Sequence, residues 1–469
     1  MAVLSVVALV LAGCGAEESP RAAVDLPAAV QGDAVFAHLQ QLDRIAKEHG
    51  GNRAAGTPGY DASLDYVVKT LRDKGFDVQT PEFEFQRFQV RAQSLAAGGR
   101  NLEVATLTYS PATPEGGITA PLVAVPPDDT PGCEAADYAG VTVRDGIALV
   151  KRGSCPFSQK QKVAAEQGAR AVVVYNHEDG RPGGTLGAPG PIPAVAVSKA
   201  DGEALAAQPQ PVTLVVDSRT EKTMSRNVIA QTRTGATDNV VMVGAHLDSV
   251  PAGPGINDNG SGTAAVLETA LQLGPAPQVR NAVRFAWWGA EELGLLGSEA
   301  YVEGLSAEAR LDIALYLNFD MVGSPNPGYF SYDGDNSDAV GEPAGPQGSA
   351  EIEQVTNAYL EQIGVTPQGT DFSGRSDYGP FIARGIPSGG TDSGVEEKKT
   401  AAQVERWGGT EGEAFDKNYH APGDTIDNIN REALARHSRV VAYLTQRYSE
   451  STDGVPGRGE RAAVRGSDR

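Results

Sequence analysis

The sequence predicts an α/β fold: a mixed, largely parallel sheet flanked by helices on both faces, with an inserted β-rich domain. Three observations lead to this prediction. Nearly continuous apolar runs at residues 240–243, 282–287 and 313–319 indicate strands buried on both faces. Segments with helical spacing alternate with such strands, which is typical of parallel sheets covered by helices. Residues 109–217 differ in composition, being rich in proline, glycine and short valine runs, and this change indicates a separate domain.

Length and charge limit the classes of protein that fit. The chain has 469 residues, enough for two domains plus loose ends, and 40% of them are hydrophobic, which allows a sizeable core. Its net charge of −21 argues against nucleic acid or an anionic membrane surface as the main partner, because a polyanion would be repelled.

The N-terminal segment resembles an export signal. Residues 1–13 are almost wholly apolar, but at roughly half of the ~20 residues that a spanning helix needs they are too short to cross a bilayer. The tetrapeptide LAGC that ends at Cys14 resembles the bacterial lipoprotein cleavage box. We therefore expect a signal peptide over residues 1–14, a lipid on Cys14 and a tether over residues 15–32. An ordinary cleaved signal is the alternative, and the lack of Lys or Arg before the apolar run leaves an upstream start open.

Either signal places the protein outside the cytoplasm, anchored to the cell membrane or secreted. Besides Cys14 the chain has two cysteines, Cys133 and Cys155. In an exported chain an even pair most simply forms one disulfide. Their separation of 22 residues permits this bond without proving it.

The first part of the main domain is expected over residues 33–108. Apolar residues at helical spacing predict one helix over residues 35–46 and another over residues 64–71, which Gly75 ends. Residues 76–88 alternate between apolar and polar side chains like a half-buried strand.

Within residues 109–217 the pattern predicts a strand over residues 147–150, a helix over residues 157–167 and a strand over residues 171–175. This stretch resembles the protease-associated domain, which has no chemistry of its own and caps or borders a peptidase site in relatives. The resemblance leaves two roles open, a spacer and a gate for substrates. It rests on Arg152, Gly153, Cys155, Phe157, Lys160, Gly168 and Ala169.

The main domain is expected to resume over residues 218–448. It begins with a strand at residues 225–232 and ends with a helix at residues 431–447. The remaining residues, 449–469, are charged and contain glycine, so we expect them to be disordered.

Potential metal ligands lie in turns after the predicted strands or in polar loops, where open α/β sheets bind their ligands. Two imidazoles and three carboxylates would suit a pair of zinc-type ions with one carboxylate bridging them. Taken singly, a loop histidine is more often an ordinary hydrogen-bonded residue, and an aspartate after a strand is often a helix cap. These five residues are His246, Asp258, Glu292, Asp320 and His420.

Five motifs decide between these interpretations. In order they are GAHLDS, GINDNGSG, a Glu-Glu pair, NFDMVG and YHAPGDT. Together they resemble the co-catalytic zinc aminopeptidases of the bacterial leucyl-aminopeptidase type, whose family includes glutamate carboxypeptidase and relatives of glutaminyl cyclase. The resemblance implies the zinc exopeptidase fold and two zinc ions. It places His246 and Asp320 on one ion, Glu292 and His420 on the other, and Asp258 between them.

The resemblance also assigns roles to neighbouring residues. Glu291 would be the general base, because adjacent residues in a non-helical turn point in different directions and leave it free to face the water between the ions. Asp248 would orient the imidazole of His246. The peptide bond between Asp258 and Asn259 should be cis.

Two assignments keep an alternative. Tyr419 matches a tyrosine that hydrogen-bonds the developing oxyanion in relatives, although an aromatic that merely packs beside a ligand is the other interpretation. Arg375 aligns with a substrate-contacting arginine, and surface solvation explains it equally well.

The sequence therefore predicts an exported, lipid-anchored zinc aminopeptidase that removes N-terminal residues, apolar ones among them, from peptides. A carboxypeptidase or dipeptidase of the same family would need a cationic pocket, which Arg375 and Arg384 leave open. A glutaminyl cyclase fits less well because such enzymes work with one zinc. A non-catalytic binding or receptor protein is disfavoured because all five ligands and Glu291 are present. Calcium binding stays open, cobalt or manganese could replace zinc, and the number of subunits leaves no trace.

Overall fold

The computed structural model describes residues 24–178, 180, 182–341 and 344–465. The signal peptide and Cys14 lie outside these residues. The described chain forms two compact units, one reaching to Phe83 and resuming at Ser225, the other spanning Glu84–Met224. The second unit is wider than the composition suggested, because the strands Glu82–Ala97 and Pro211–Arg226 belong to its sheet.

The elements of the described residues are numbered in chain order. The strands are β1 (Val78–Gln79), β2 (Glu82–Ala97), β3 (Arg100–Leu102), β4 (Ala105–Thr106), β5 (Ile118–Ala124), β6 (Ile147–Lys151), β7 (Ala171–Tyr175), β8 (Ala194–Val197), β9 (Pro211–Arg226), β10 (Val228–Gln231), β11 (Ala236–His246), β12 (Asn281–Trp288), β13 (Ile313–Phe319), β14 (Phe330–Tyr332), β15 (Gln368–Thr370) and β16 (Ser388–Asp392). The helices are α1 (Leu26–Ala29), α2 (Gly32–Glu48), α3 (Pro58–Lys74), α4 (Phe157–Glu166), α5 (Lys199–Ala207), α6 (Gly262–Leu273), α7 (Leu296–Gly304), α8 (Ala307–Leu311), α9 (Ser349–Gln362), α10 (Tyr378–Ile382), α11 (Ala401–Trp407), α12 (Arg431–Glu450) and α13 (Arg458–Arg465).

The sheet of the first unit has the strand order β1-β10-β12-β11-β13-β16-β14-β15. Its four central strands, from β12 to β16, are parallel. Antiparallel pairs join β1 to β10, β10 to β12 and β14 to β16. The predicted mixed, largely parallel sheet is confirmed.

Helices cover both faces of this sheet, as predicted. Successive residues of a strand point to opposite faces. Val241 and Val243 of β11 join an apolar cluster that includes buried residues of α2, α3, α6, α9 and α12. Val240 and Met242 join a second cluster with residues of α7 and α10.

Helix α3 shows how the local sequence sets the helix ends. The Thr57 side chain accepts a hydrogen bond from the Tyr60 N–H, and Pro58 occupies the first turn, where its missing N–H is not needed. Gly75 ends the helix with a φ of 97°, a conformation that glycine adopts without strain. Among the described residues, no helix combines the length and the apolar character needed to cross a bilayer.

The predicted tether is partly folded. Helix α1 and the start of α2 lie within residues 15–32, of which the structure describes residues from 24 onward. Leu26 and Val30 are buried in the main apolar cluster. Their burial fixes this segment to the first unit. The sequence did not predict this, because the segment has no long amphipathic pattern.

The predicted disorder of residues 449–469 is wrong for the part that the structure describes. Helix α12 continues to Glu450, and α13 follows it. Arg461 is only 1% exposed. Its guanidinium donates hydrogen bonds to the carbonyl oxygens of Leu311 and Pro456, at 3.0 and 2.8 Å. These acceptors compensate for burying the charge, so the polar composition does not prevent the segment from docking.

The second unit is β-rich, with the strand order β3-β2-β9-β5-β6-β7-β8-β4. Strands β5 to β8 are parallel, and α4 and α5 accompany them. Cys133 and Cys155 form the expected disulfide, with their Cα atoms 6.0 Å apart.

Candidate active site

The candidate site lies where the parallel strands of the first unit end. Strand β11 ends at His246, which pairs with Trp288 at the end of β12. Glu291 and Glu292 follow in a short 3-10 turn, and Asp320 comes directly after β13. Because neighbouring parallel strands end at the same edge, side chains far apart in the sequence meet there.

The five predicted ligands form two groups that share Asp258. In the first group, His246 Nε2 lies 3.2 Å from Asp258 Oδ1 and 3.3 Å from Asp320 Oδ1. In the second group, His420 Nε2 lies 3.1 Å from Asp258 Oδ2 and 2.9 Å from Glu292 Oε2. Each oxygen of Asp258 therefore faces a different histidine.

These groups fit a pair of zinc ions. Ligand atoms 2.0–2.1 Å from a tetrahedral zinc lie roughly 3.3 Å from one another, close to the separations within both groups. His246 Nε2, Glu292 Oε1 and Asp320 Oδ1 are buried and lack a hydrogen-bond partner among the described residues. Buried polar atoms are rarely left without one, so these three atoms suit coordination.

The loop that carries Asp258 is held by Asp424, a residue of the YHAPGDT motif to which the sequence assigned no role. Asp424 Oδ1 accepts the backbone N–H of Asn257 at 2.8 Å, and its Oδ2 accepts that of Asp258 at 3.0 Å. The bond between Asp258 and Asn259 is cis, as expected. Asn259 Nδ2 donates to the Phe319 carbonyl at 2.9 Å, which ties the loop to the end of β13.

Asp248 connects the histidine to the Glu-Glu turn. The Asp248 carbonyl oxygen lies 3.1 Å from His246 Nδ1, within hydrogen-bond distance, whereas its carboxylate is 3.8 Å from that atom. The carboxylate accepts the backbone N–H groups of Glu291 and Glu292, at 3.1 and 3.4 Å. One buried residue thus contacts the imidazole through its backbone carbonyl and holds the backbone of the Glu-Glu turn through its side chain.

Glu291 belongs to neither ligand group. Its Oε2 lies 3.8 Å from His246 Nε2, and the side chain is 8% exposed. Burial raises the pKa of Glu291 well above its ordinary range, against the lowering effect of His246 and with further raising by Asp377 and Glu292. Burial also raises the pKa of Glu292 to about 8, with Asp258 adding to the effect. Carboxylates crowded in this way favour bound cations.

Tyr419 and Arg375 lie together at the site. Arg375 Nη2 donates to Tyr419 Oη at 3.2 Å and lies 3.0 Å from Glu396 Oε1. The rings of Tyr419 and His420 stack with their centroids 3.8 Å apart. Burial raises the pKa of Tyr419, with Asp258 also raising it and Arg375 opposing, so the hydroxyl stays protonated.

The ligand groups adjoin a cavity of about 530 Å³, and the described residues that line it belong to the first unit. Asp258, Glu291 and Asp320 reach this cavity, as do Tyr419 and His420. Apolar side chains form part of its wall, namely Met321, Phe330, Tyr332, Val395 and Phe415.

Two further buried residues escaped the sequence analysis. Arg53 is fully buried and donates to the carbonyl oxygens of Leu247, Pro254 and Gly255, which border the ligand loops. Asp377 is also fully buried, and neither of its carboxylate oxygens has a hydrogen-bond partner among the described residues. An arginine in a loop and an aspartate beside a helix carry no local signal that reveals such surroundings.

A third group of carboxylates shares no residue with the two ligand groups or with the described lining of the cavity. Asp333, Asp335 and Glu353 are close enough to hold an ion. Their oxygens already accept backbone N–H groups, for example Gly334 N at 2.8 Å from Glu353 Oε2 and Ser337 N at 2.9 Å from Asp333 Oδ1. Calcium binding therefore stays a prediction.

Protein-family models and known proteins match this chain. The model for peptidase family M28 matches residues 227–445, and the model for the PA domain matches residues 118–205. The probable lipoprotein aminopeptidase LpqL of Mycobacterium tuberculosis is 52% identical over 474 residues, which cover 97% of this chain and 95% of that protein.

Leucine aminopeptidase 2 of Arthroderma otae is 41% identical over 431 residues, which cover 90% of this chain and 85% of that protein. The solved structure of BSAP, a zinc aminopeptidase from Bacillus subtilis, has 28% identity and a TM-score of 0.69, and the match covers 92% of this chain and 97% of that one. The chain therefore belongs to peptidase family M28 and carries an inserted PA domain.

Proposed function

We propose that this protein is an exported aminopeptidase that hydrolyses the N-terminal bond of peptides with two zinc ions. The observation that carries the proposal is the position of Asp258, with one oxygen 3.2 Å from His246 Nε2 and the other 3.1 Å from His420 Nε2. Asp320 completes the first ligand group and Glu292 the second. Zinc bound there would polarise the scissile carbonyl and lower the pKa of the attacking water.

Glu291 is the general base of this proposal. Its carboxylate takes a proton from water as the water oxygen bonds to the scissile carbonyl carbon. It then gives that proton to the amine nitrogen as the carbon–nitrogen bond breaks. Two features support this role: Glu291 lines the cavity, and it belongs to neither ligand group, so its carboxylate is not engaged by a zinc ion in this proposal.

Tyr419 is the donor to the oxyanion that forms on the carbonyl oxygen. Its own oxygen accepts a hydrogen bond from Arg375 at 3.2 Å, which leaves the hydroxyl proton free to point into the cavity. A hydroxyl already placed at the site stabilises the developing charge without reorganisation. Arg375 acts through Tyr419 in this arrangement.

The two arginines that the carboxypeptidase alternative could use are both paired with glutamates. Arg384 is engaged by Glu303, with two contacts of 2.7 and 2.6 Å. Arg375 is engaged by Glu396 and Tyr419. Neither arginine is thus free to bind the terminal carboxylate of a peptide, whereas an aminopeptidase needs no such pocket. Both curated relatives described above are named aminopeptidases.

The LAGC sequence ending at Cys14 supports export followed by attachment to the membrane through a lipid on that cysteine. The relative from Mycobacterium tuberculosis is named a lipoprotein, which agrees with this proposal. The substrates are peptides, and the lipid is the proposed link to the membrane.

Hydrolysis of leucyl p-nitroanilide, compared with its N-acetyl derivative, tests the proposal. Protein lacking residues 1–14 is assayed as purified, after chelation and after zinc is returned. We expect cleavage of the free-amine substrate alone, with loss on chelation and recovery with zinc. If zinc binds and neither substrate is cleaved, a carboxypeptidase or dipeptidase becomes the better proposal. If no zinc binds, the site assignment is wrong.

A further inference from the structure

The cavity next to the ligand groups contains a carboxylate to which the proposed reaction assigns no role. Asp392 is the last residue of β16 and lines this cavity. Strand β16 runs parallel to β13, with Phe319 opposite Thr391, so the next residues in register are Asp320 and Asp392. Neighbouring strands lie about 4.8 Å apart. Asp392 is therefore one strand away from a proposed zinc ligand, at the same edge of the sheet.

Asp392 is 9% exposed. Its Oδ1 accepts the Gly394 N–H at 2.8 Å. Its other oxygen has no hydrogen-bond partner in the described part of the chain, and no lysine, arginine or histidine there forms an ion pair with it. Burial raises the pKa of Asp392 to about 7, Gly394 lowers it, and the surrounding carboxylates Glu397, Asp320 and Asp371 raise it.

The cations of the cavity wall do not compensate for this charge. Arg375 is engaged by Glu396 and Tyr419. Lys398 is exposed to solvent and forms no ion pair with another described residue. The next residue, Lys399, is not part of the cavity lining; it is buried and donates to Asn326 and to two backbone carbonyls. The carboxylate of Asp392 therefore keeps one oxygen for a cationic ligand in the cavity.

The wall around Asp392 suits a side chain that is apolar along its length and charged at its end. Phe330 lies directly opposite Asp392 on the antiparallel strand β14. Side chains of directly opposite residues lie on the same face of a sheet, with Cβ atoms about 5 Å apart. Phe330, Tyr332 and Phe415 line the same cavity. Lysine and arginine bury their methylene groups against such surfaces while the charged end reaches a polar partner.

We propose that Asp392 binds the ammonium or guanidinium group of a lysine or arginine at the N-terminus of the substrate, and so gives the enzyme a preference for cationic N-terminal residues. This inference rests on the proposed aminopeptidase function and specifies its substrate class. Asp392 acts here as a specificity-determining residue, with the methylene groups of the substrate side chain packed against Phe330.

Lysyl and norleucyl p-nitroanilides provide the test, because the two side chains have the same four-carbon chain and differ in the terminal ammonium. We expect zinc-loaded wild-type protein to have a kcat/KM at least tenfold higher for the lysyl substrate. In Asp392→Asn this ratio should fall at least tenfold, with the zinc content unchanged and the norleucyl value within threefold of wild type. Glu397→Gln, which neutralises an exposed carboxylate of the same wall, should keep the wild-type ratio.

Two results would overturn the inference. One is a wild-type enzyme that cleaves the norleucyl substrate as well as the lysyl substrate or better, which decides the matter even if Asp392→Asn does not fold. The other is an equal loss of kcat/KM for both substrates in Asp392→Asn. That result would mean that Asp392 contacts the α-ammonium group of the substrate or helps to position Asp320. If zinc-loaded wild type cleaves neither substrate, the proposed function itself is wrong, and this result differs from both.

Discussion

Asp424 offers a test of how the proposed bridging ligand, Asp258, is held. The Asp424 carboxylate accepts backbone N–H groups of the loop that carries Asp258. In Asp424→Asn one carboxylate oxygen becomes an NH2 group, which cannot accept a hydrogen bond. Asp424 Oδ1 accepts from both Asn257 N and Asn428 Nδ2, at 2.8 and 3.3 Å, whereas Oδ2 accepts from one described donor, Asp258 N, at 3.0 Å. The new amide loses least when its NH2 group faces Asp258, so the N–H of the proposed bridging ligand loses its acceptor.

An unsatisfied buried donor costs roughly 1–3 kcal/mol. If this cost opposes the loop conformation that binds zinc, the dissociation constant for zinc rises roughly 5- to 150-fold, since 1.4 kcal/mol corresponds to a factor of ten. Titration against a chromophoric chelator measures this constant for the wild type and the variant. At saturating zinc we expect the variant to regain most of its kcat for leucyl p-nitroanilide.

Asp416→Asn is the matched control. Asp416 is also buried and accepts the Asn257 side chain at 2.6 Å, but the backbone N–H that its carboxylate accepts is that of Asn418, at 2.8 Å, and not one from the loop that carries Asp258. We expect a smaller loss of zinc affinity than in Asp424→Asn. Zinc affinity within twofold of wild type in Asp424→Asn, or an equal loss in both variants, would refute the reasoning.

Two other predictions concern catalysis and stability. Tyr419→Phe removes the proposed oxyanion donor and should lower kcat for leucyl p-nitroanilide by about 10²-fold with zinc content unchanged; a kcat within threefold of wild type would exclude this role. His437 is fully buried, and burial lowers its pKa to about 4. In the unfolded chain His437 binds a proton below about pH 6.5, whereas in the folded protein it does so only below about pH 4. The free energy of unfolding therefore rises with pH between these values, by about 3 kcal/mol from this group. Urea unfolding at pH 4 and pH 7 should show a smaller pH effect in His437→Gln, and an unchanged effect would contradict the assignment.

The sequence predicted the sheet and part of the site because their signals are local. A buried parallel strand is a continuous apolar run, and the residues just after it lie at the edge that binds ligands, which is why His246 and Asp320 could be found. His420 follows no strand; its polar loop made it a candidate, and only the resemblance of its motif assigned it to the second ion. Different roles could be predicted for Glu291 and Glu292 because adjacent residues in a turn point in different directions.

The surroundings of the ligands could not be predicted in this way. Asp424 meets the backbone of Asn257 across 167 residues, and Arg53 meets the carbonyl of Pro254 across 201 residues. Neither contact produces a periodic pattern in the sequence, because each joins one residue to one distant residue. The prediction of disorder for residues 449–465 failed for a related reason. It rested on composition, whereas the hydrogen bonds of Arg461 to distant carbonyl groups hold the segment in the first unit.

The most direct test of the central claim is to measure zinc content and activity together in Glu291→Gln. If the five ligands hold two zinc ions and Glu291 moves the proton, the variant keeps two zinc ions per chain. Its kcat/KM for leucyl p-nitroanilide then falls by about 10²- to 10⁴-fold, the usual contribution of a general base. A variant that retains activity within tenfold of wild type, or one that loses its zinc, would contradict the account.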